Sequence, residues 1–163
     1  MLNKSVEEAL NAQTNAEMYS AYLYLSMSAS LSDKGLSGMA HWMRKQAEEE
    51  MEHAMKIYDY VIDSGGRVTL FNIEATPDQW DSALAVFEHV YAHEQKVTGL
   101  IHKLVDLASG EKDHSTQNFL QWFVKEQVEE EDHSREILDK ARLIGNNGPG
   151  LFVLDRDLGQ RGK

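Results

Sequence analysis

A carboxylate and an imidazole fall on a helix face that the sequence predicts to be buried. The stripe of apolar positions, at alternating steps of three and four, is Met43, Ala47, Glu50, Ala54, Ile57 and Val61. Glu50 therefore points toward the core, and His53, one turn further on, lies on the same face. Both groups are costly to bury unless something offsets their desolvation. A metal ion is the simplest candidate.

The sequence predicts three further long helices. Each of them also carries a carboxylate on its apolar face: Glu17, Glu94 and Glu130. If the first turn is centred near Gly35, Glu17 lies level with His53. If the second turn is centred near Glu111, Glu94 lies level with residue 128. All of these groups are near mid-helix, so they would meet whether the second and third helices run parallel or antiparallel.

Four converging carboxylates cannot all stay ionised in a core unless cations are present. The chain has no cysteine, so carboxylate, imidazole and amide ligands remain, which favours iron, manganese or zinc. Two divalent ions fit the ligand count. Glu17, Glu50 and His53 would hold one, and Glu50, Glu94 and Glu130 the other, with Glu50 as the bridge.

Composition narrows the class of protein. A chain of 163 residues with 42% hydrophobic residues fits one domain, residues 1–163, with a sizeable core. The net charge of −11 argues against nucleic acid as a partner and suits cations. No apolar signal region begins the sequence and no apolar run approaches membrane length. We therefore expect a cytoplasmic protein with no membrane partner.

Helical periodicity predicts four long helices, at about 6–34, 38–64, 82–109 and 114–144, and a short one at about 150–158. Ser5, Ser37, Asp81 and Asp113 are the predicted N-caps. The fold predicted is an all-α, antiparallel four-helix bundle with a short fifth C-terminal helix. We expect that fifth helix to contact another subunit.

The third helix has a predicted apolar face of seven positions: Leu84, Phe87, Tyr91, Glu94, Thr98, Ile101 and Val105. Residues 65–81 have no helical period and include Pro77, so they are predicted to form a loop long enough to cross the full length of the bundle. Its apolar side chains are expected to make contacts within the loop: Val68, Leu70, Phe71 and Ile73.

In several motifs the chain resembles the prokaryotic non-haem ferritins. These motifs are Asn15-Ala16-Glu17, Tyr19 to Leu25, Glu49 to Ala54, Gly65 to Val68, His93-Glu94 and Glu126 to Glu131. The resemblance covers essentially the whole chain. It implies a hollow cage of twenty-four subunits that oxidises Fe(II) with dioxygen or hydrogen peroxide and stores ferric mineral.

The resemblance also implies roles for individual residues. Glu17, Glu50 and His53 match the first iron site, and Glu50, Glu94 and Glu130 match the second. Gln127 is a polar neighbour of the second site, and Tyr24 matches a tyrosine beside the centre, as an electron donor or hydrogen-bond partner. A third iron site is implied at Glu49, Glu126 and Glu129, sharing Glu130.

One departure separates the chain from bacterioferritins, which carry a second Glu-x-x-His in the fourth helix. That place here reads Gln127-Val128-Glu129-Glu130, so the centre has a single histidine. Met51 occupies the place of the bacterioferritin haem ligand, but non-haem ferritins also carry methionine there, so no haem is expected. His89 and His93 are spaced for metal binding but are interpreted as surface or boundary residues.

Three other functional classes stay open from the sequence. A Dps-like mini-ferritin would protect DNA, with its metal site between subunits. A di-iron oxygenase or peroxidase would need a substrate pocket. A structural or signalling bundle would need no carboxylates at mid-core.

Overall fold

The computed structural model describes all residues 1–163, and they form five helices and no strand. The helices are α1 (Lys4–Asp33), α2 (Ser37–Asp63), α3 (Ala83–Gly110), α4 (His114–Ile144) and α5 (Gly148–Leu158). The predicted all-α bundle with a short fifth helix is confirmed. No helix combines the length and the hydropathy that a bilayer span requires.

The four long helices form two hairpins that dock against each other. Residues 34–36 join α1 to α2 and residues 111–113 join α3 to α4, so each pair is antiparallel. Helix α2 is also antiparallel to α4, because Gln46 contacts Glu130 while Tyr60, further along α2, stacks on Phe119. Since α4 is antiparallel to both, α2 and α3 run parallel. This settles the direction that the sequence left open.

Parallel α2 and α3 require a connection that runs the length of the bundle, and residues 64–82 provide it beside α1. Asn11 Nδ2 donates to Arg67 O at 2.9 Å, and Asn11 Oδ1 accepts from Thr69 N at 3.1 Å. Further along α1, Ser26 Oγ donates to Pro77 O at 2.6 Å. Residues 11 and 26 lie about 22 Å apart along the helix. Side chains of α1 thus satisfy backbone groups that have no ladder of their own.

The crossover leaves exposed three of the four apolar side chains that were predicted to make contacts within the loop. Leu70, Phe71 and Ile73 are 64%, 51% and 38% exposed in the isolated chain. Of these four side chains, only Val68 packs against the core. The segment lies as a single layer on α1, so side chains on its outer side have nothing to cover them.

The core consists of two hydrophobic clusters separated by the carboxylate level. One cluster includes Tyr24, Met27, Leu31, Met43, Phe87 and Leu138. The other includes Leu10, Ile57, Val61, Ile101, Leu120 and Phe123. Along each long helix the carboxylate falls between members of the two clusters. The bundle therefore holds its polar layer in place by apolar packing on both sides.

The buried face of α3 is wider than the predicted one and is rotated relative to it. Leu84, Tyr91, Thr98 and Val105 are only half-buried. The buried positions include Val86, Val90, His93, Val97 and Leu104. Helix α3 contacts both α1 and α4, so its buried arc spans two neighbours, whereas the predicted stripe allowed for one.

Three of the four helix starts that the sequence addressed have a different cap. Asn3, not Ser5, caps α1, and its Oδ1 accepts from the Ser5 N–H at 2.8 Å. Ser82, not Asp81, caps α3 through its Oγ. Asp113 caps α4 as predicted. The two displaced caps are one or two residues from the prediction, within reach of the same first turn.

The remaining start, that of α2, is capped from a distant part of the chain. Ser37 makes no capping bond, and Asp155 of α5 accepts from Met39 N at 2.8 Å instead. Close approach depends on Gly38, where a Cβ would lie 1.8 Å from Asp155 O. Helix α5 also buries Leu154 in the core. It therefore covers part of its own bundle, and the predicted contact of this helix with another subunit stays a prediction.

Candidate metal centre

Three groups of side chains bring possible ligand atoms within 4.8 Å of one another. The first is Glu17, Glu50 and His53, and the second is Glu50, Glu94 and Glu130. All five side chains are buried, and Glu50 belongs to both groups. The first hairpin supplies the first group, while α3 and α4 complete the second. The structure thus brings together the two sets that the sequence predicted.

Buried amides hold one oxygen of these carboxylates and leave another free. Gln13 Nε2 donates to Glu17 Oε1 at 2.8 Å, and Gln46 Nε2 donates to Glu130 Oε2 at 2.6 Å. Glu17 Oε2 and Glu50 Oε2 have no hydrogen-bond partner, although both are fully buried. Unpaired buried oxygens are costly. Two of them in one ligand group fit a site that a cation completes.

Glu94 is oriented by two neighbours that are not themselves in the ligand groups. The hydroxyl of Tyr24 donates to Glu94 Oε1 from a fully buried position. Gln127 Nε2 lies 3.2 Å from Glu94 Oε2 and 3.3 Å from its backbone oxygen. Tyr24 and Gln127 are therefore placed to fix the rotamer of this carboxylate.

His53 stands between the buried groups and the side of the bundle formed by α2 and α4. Its Nδ1 lies 3.4 Å from Glu50 Oε2, and its Nε2 lies 3.8 Å from Glu126 Oε1. Trp122 and Phe123 hold the ring edge-on, with centroids 5.3 and 6.1 Å away. One imidazole thus has a carboxylate at each nitrogen.

The metal-free centre holds protons near neutral pH. Burial, reinforced by the surrounding carboxylates, raises the pKa of Glu50 well above its usual range. Burial raises the pKa of Glu94 to about 7, although hydrogen bonds from Tyr24 and Gln127 oppose the shift. Burial and the nearby Glu94 raise the pKa of Glu130 to about 8. A cation entering the site would displace these protons.

Comparison with known proteins assigns the chain to a family. Residues 7–144 match the ferritin-like domain, which is most of the chain. The chain belongs to the ferritin family. The bacterial non-heme ferritin of Bacteroides fragilis strain 638R is 47% identical over 161 residues, covering 99% of this chain and all of the relative. That of Campylobacter jejuni is 44% identical over 156 residues, covering 96% of this chain and 93% of the relative.

A solved structure is similar throughout its length. The open-pore ferritin of the hyperthermophilic archaeon Archaeoglobus fulgidus has 53% sequence identity and a TM-score of 0.98, with 99% of each chain covered. The five-helix architecture of this chain is therefore that of a ferritin subunit.

The residues predicted to form a third site are only partly assembled in this ferritin. Glu126 joins His53 and Glu130 in the third ligand group. Glu129 is exposed, and its carboxylate is in none of the groups. Glu49 pairs instead with Arg161, Oε2 to Nη2, at 2.7 Å. A cleft of about 500 Å³, hereafter the acidic cleft, contains all of these groups except His53.

Two amides that touch the ligands of this ferritin were not predicted. Gln13 and Gln46 each lie four residues before a ligand, at Glu17 and Glu50. The repeated Gln-x-x-x-Glu spacing, on α1 and α2, is the signal that could have found them, because residues four apart share a helix face. Arg161 had no such signal, since more than one hundred residues separate it from Glu49.

His93, which was interpreted as a surface or boundary residue, is buried in the ferritin bundle. Its Nε2 lies 2.8 Å from Ser20 Oγ, and its ring packs edge-on to Tyr24 at 5.8 Å. Burial, with smaller effects of His89 and Lys96, lowers the pKa of His93 to about 4. His93 is therefore neutral at physiological pH, and its ring packs against Tyr24.

Proposed function

We propose that this ferritin stores iron and is a ferroxidase, oxidising Fe(II) at a two-iron centre inside each chain. The observation that carries the proposal is the pair of buried ligand groups that share Glu50. Carboxylate and imidazole donors suit Fe(II) and bind Fe(III) still better, which favours oxidation. The family membership and the non-heme names of the relatives agree with it.

In the proposed reaction two ferrous ions are the substrate and lie side by side. Each loses one electron, and dioxygen takes both together with two protons to give hydrogen peroxide. Peroxide can serve as the oxidant in a further round, in which two ferrous ions reduce it to water. The ferric ions then leave for the cavity and hydrolyse to oxide mineral.

The side chains have separate tasks in this scheme. Glu17 and His53 hold the first ion, Glu94 and Glu130 hold the second, and Glu50 bridges the two. The carboxyl protons held in the metal-free centre are released when the ions bind.

Two side chains beside the two-iron centre position a ligand without binding iron in the scheme. Tyr24 and Gln127 fix Glu94 by donating hydrogen bonds to it. The proposed third iron site takes Glu49, Glu126 and Glu129 with Glu130, on the side of the bundle where the acidic cleft opens.

We also propose that twenty-four chains form the hollow cage in which the mineral accumulates.

The alternative functional classes fit the geometry less well. Both ligand groups come from one chain, unlike a Dps-like site between subunits. The cleft beside the centre is lined by five glutamates, which suits cations better than an organic substrate.

The proposal is tested by anaerobic Fe(II) titration followed by oxidation in air. Wild type should bind two ions tightly per chain and oxidise them rapidly. Glu50→Ala and His53→Ala should each slow oxidation about tenfold or more, because each removes a direct ligand. Absorbance of ferric species after stopped-flow mixing gives the rate.

Glu52→Ala is the matched control, since Glu52 is an exposed glutamate on the same turn of α2. Its rate should equal that of wild type. Equal rates in wild type, Glu50→Ala and His53→Ala would remove the assigned centre.

A further inference from the structure

Arg161, in the segment that follows α5, reaches into the acidic cleft with a guanidinium held at several points. Nη2 lies 2.7 Å from Glu49 Oε2. Nη1 donates to Gln46 Oε1 at 2.9 Å and to Trp42 O at 3.3 Å. The guanidinium carbon lies 4.6 Å above the ring of Trp42. This geometry fixes the group, unlike a surface arginine free in water.

The backbone that carries Arg161 is also fixed. Its carbonyl oxygen lies 2.8 Å from His41 Nε2 on α2. The preceding helix, α5, is docked on α2 by the Asp155 cap and by the close approach at Gly38. The arginine is therefore placed by the fold itself, and its side chain is only 23% exposed.

The ion pair withdraws Glu49 from the other acidic groups of the cleft. Glu126 and Glu130 are within ligand distance of each other and of His53, but the Glu49 carboxylate is not in that group. A charge-assisted, directional pair with arginine satisfies it instead. A metal ion that uses Glu49 must displace the guanidinium or bind beside its positive charge, and both weaken the metal's binding.

Gln46 links the same arginine to the buried centre. Its Oε1 accepts from Arg161, so its Nε2 is directed to Glu130 Oε2, 2.6 Å away. Displacing Arg161 would release Glu49 and the orientation of Gln46 together. Arg161 thus contacts Glu49 directly and is linked to Glu130, a ligand of the inner pair, through Gln46.

We propose that Arg161 is a built-in competitor of iron at the outer site formed by Glu49, Glu126, Glu129 and Glu130. Its guanidinium occupies Glu49 and lowers the affinity of the third iron, while the inner pair keeps its own ligands. The inference rests on the proposed function and adds the regulation of its third site.

The test is anaerobic calorimetric titration of the assembled protein with Fe(II), which measures binding without turnover. Arg161→Gln should raise the affinity for the third iron about three- to tenfold, as expected for removing one partly screened positive charge. The affinity for the first two ions should stay within about twofold. Crystals soaked in Zn²⁺ should show Glu49 turned toward the outer metal in the variant.

Lys140→Gln is the matched control. Lys140 lines the same cleft, but it pairs with Glu136 at 2.7 Å and touches none of the proposed ligands. It should leave all three affinities within about twofold of wild type. If both variants raise the third affinity equally, net charge is the cause and the proposal for Arg161 is wrong.

Other outcomes separate this inference from the proposed function. Two tight ions with no third in either wild type or Arg161→Gln would overturn the inference and leave the ferroxidase centre intact. Fewer than two tight ions in wild type would overturn the proposed function itself. Should Arg161→Gln fail to assemble, Arg161→Lys replaces it in the test. Lysine keeps the positive charge but loses the guanidinium, which bonds Glu49 and Gln46 at the same time. A third affinity above wild type then supports the inference, and one at or below it overturns the inference.

Discussion

At the scale of single residues, neutral amides and a hydroxyl donate hydrogen bonds to the carboxyl groups of the centre. Gln13, Gln46, Gln127 and Tyr24 donate to carboxylates and leave other oxygens without partners. If the hydrogen bonds served only a metal-free core, every buried carboxylate oxygen would be expected to have a donor. The free oxygens of Glu17 and Glu50 indicate that the arrangement is suited to cations.

The raised pKa values predict that the metal-free protein loses stability as pH rises. In the unfolded chain a glutamate ionises near 4.5, whereas in the folded chain Glu94 and Glu130 ionise at about 7 and about 8. The folded state therefore binds more protons across that window, so stability falls with rising pH until both groups have ionised. Thermal melting of metal-free protein between about pH 5.5 and about pH 8.5 should show the fall.

Glu130→Gln should flatten this pH dependence, because the variant has no carboxyl to ionise at that position. Glu52→Gln, at an exposed position, should melt with the wild-type dependence. Bound divalent ions should also flatten the curve, since ionised carboxylates are then ligands. A melting temperature in the metal-free protein that rises across this range would contradict the assignment.

At the scale of helices, local pattern was enough to predict each helix and most of the site. Helical spacing placed Glu17, Glu50, Glu94 and Glu130 on buried faces, and turn positions predicted that they meet near His53. The caps of α1 and α3 were missed by one or two residues, and two further errors depended on partners distant in sequence. The rotated face of α3 required knowing that it contacts both α1 and α4, and the cap of α2 comes from Asp155.

Helix α5 gives the sharpest prediction at this scale. Gly38→Ala places a Cβ 1.8 Å from Asp155 O, so α5 must shift. The shift breaks the bond by which Asp155 caps the start of α2. The variant should lose about 1–3 kcal/mol of stability, as for overpacking in a core. Differential scanning calorimetry should show a lower melting temperature, and limited proteolysis should release the C-terminal segment.

Gly99→Ala is the control for Gly38→Ala. Gly99 is also inside a long helix, but a Cβ there would meet nothing within 4 Å. The substitution should raise stability by about 0.5–1 kcal/mol, because alanine loses less backbone freedom in a helix. Equal melting temperatures for the two variants would mean that α5 does not depend on close approach at Gly38.

At the scale of the whole molecule, the isolated chain leaves apolar side chains uncovered along α1 and the crossover. Tyr22 and Leu25 are about half exposed, as is Phe71, and Leu70 is 64% exposed. The crossover follows α1, so these residues lie along one edge of the bundle. Exposed apolar side chains along one edge predict a protein interface there.

That edge predicts the effect of a charge on assembly. Leu25→Glu should dissociate the proposed cage, because the contact would bury an unpaired carboxylate. Sedimentation velocity should change from a particle of twenty-four chains of 18.5 kDa to small oligomers or monomers. Val128→Glu, at a 66% exposed position on α4, which does not contact α1, should stay assembled. Full assembly of Leu25→Glu would place the contact elsewhere.

The parallel course of α2 and α3 has a consequence for how the chain folds. Each hairpin can form from contacts close in sequence, which is fast, whereas docking the two hairpins must wait for the crossover to close along α1. Neither hairpin alone holds a complete pair of metal sites, since Glu94 and Glu130 come from the second and the other ligands from the first. Docking without metal brings acidic groups together in a dry core. Bound iron would link the two hairpins through ligands from both. It would lower the rate of unfolding more than it raises the rate of folding.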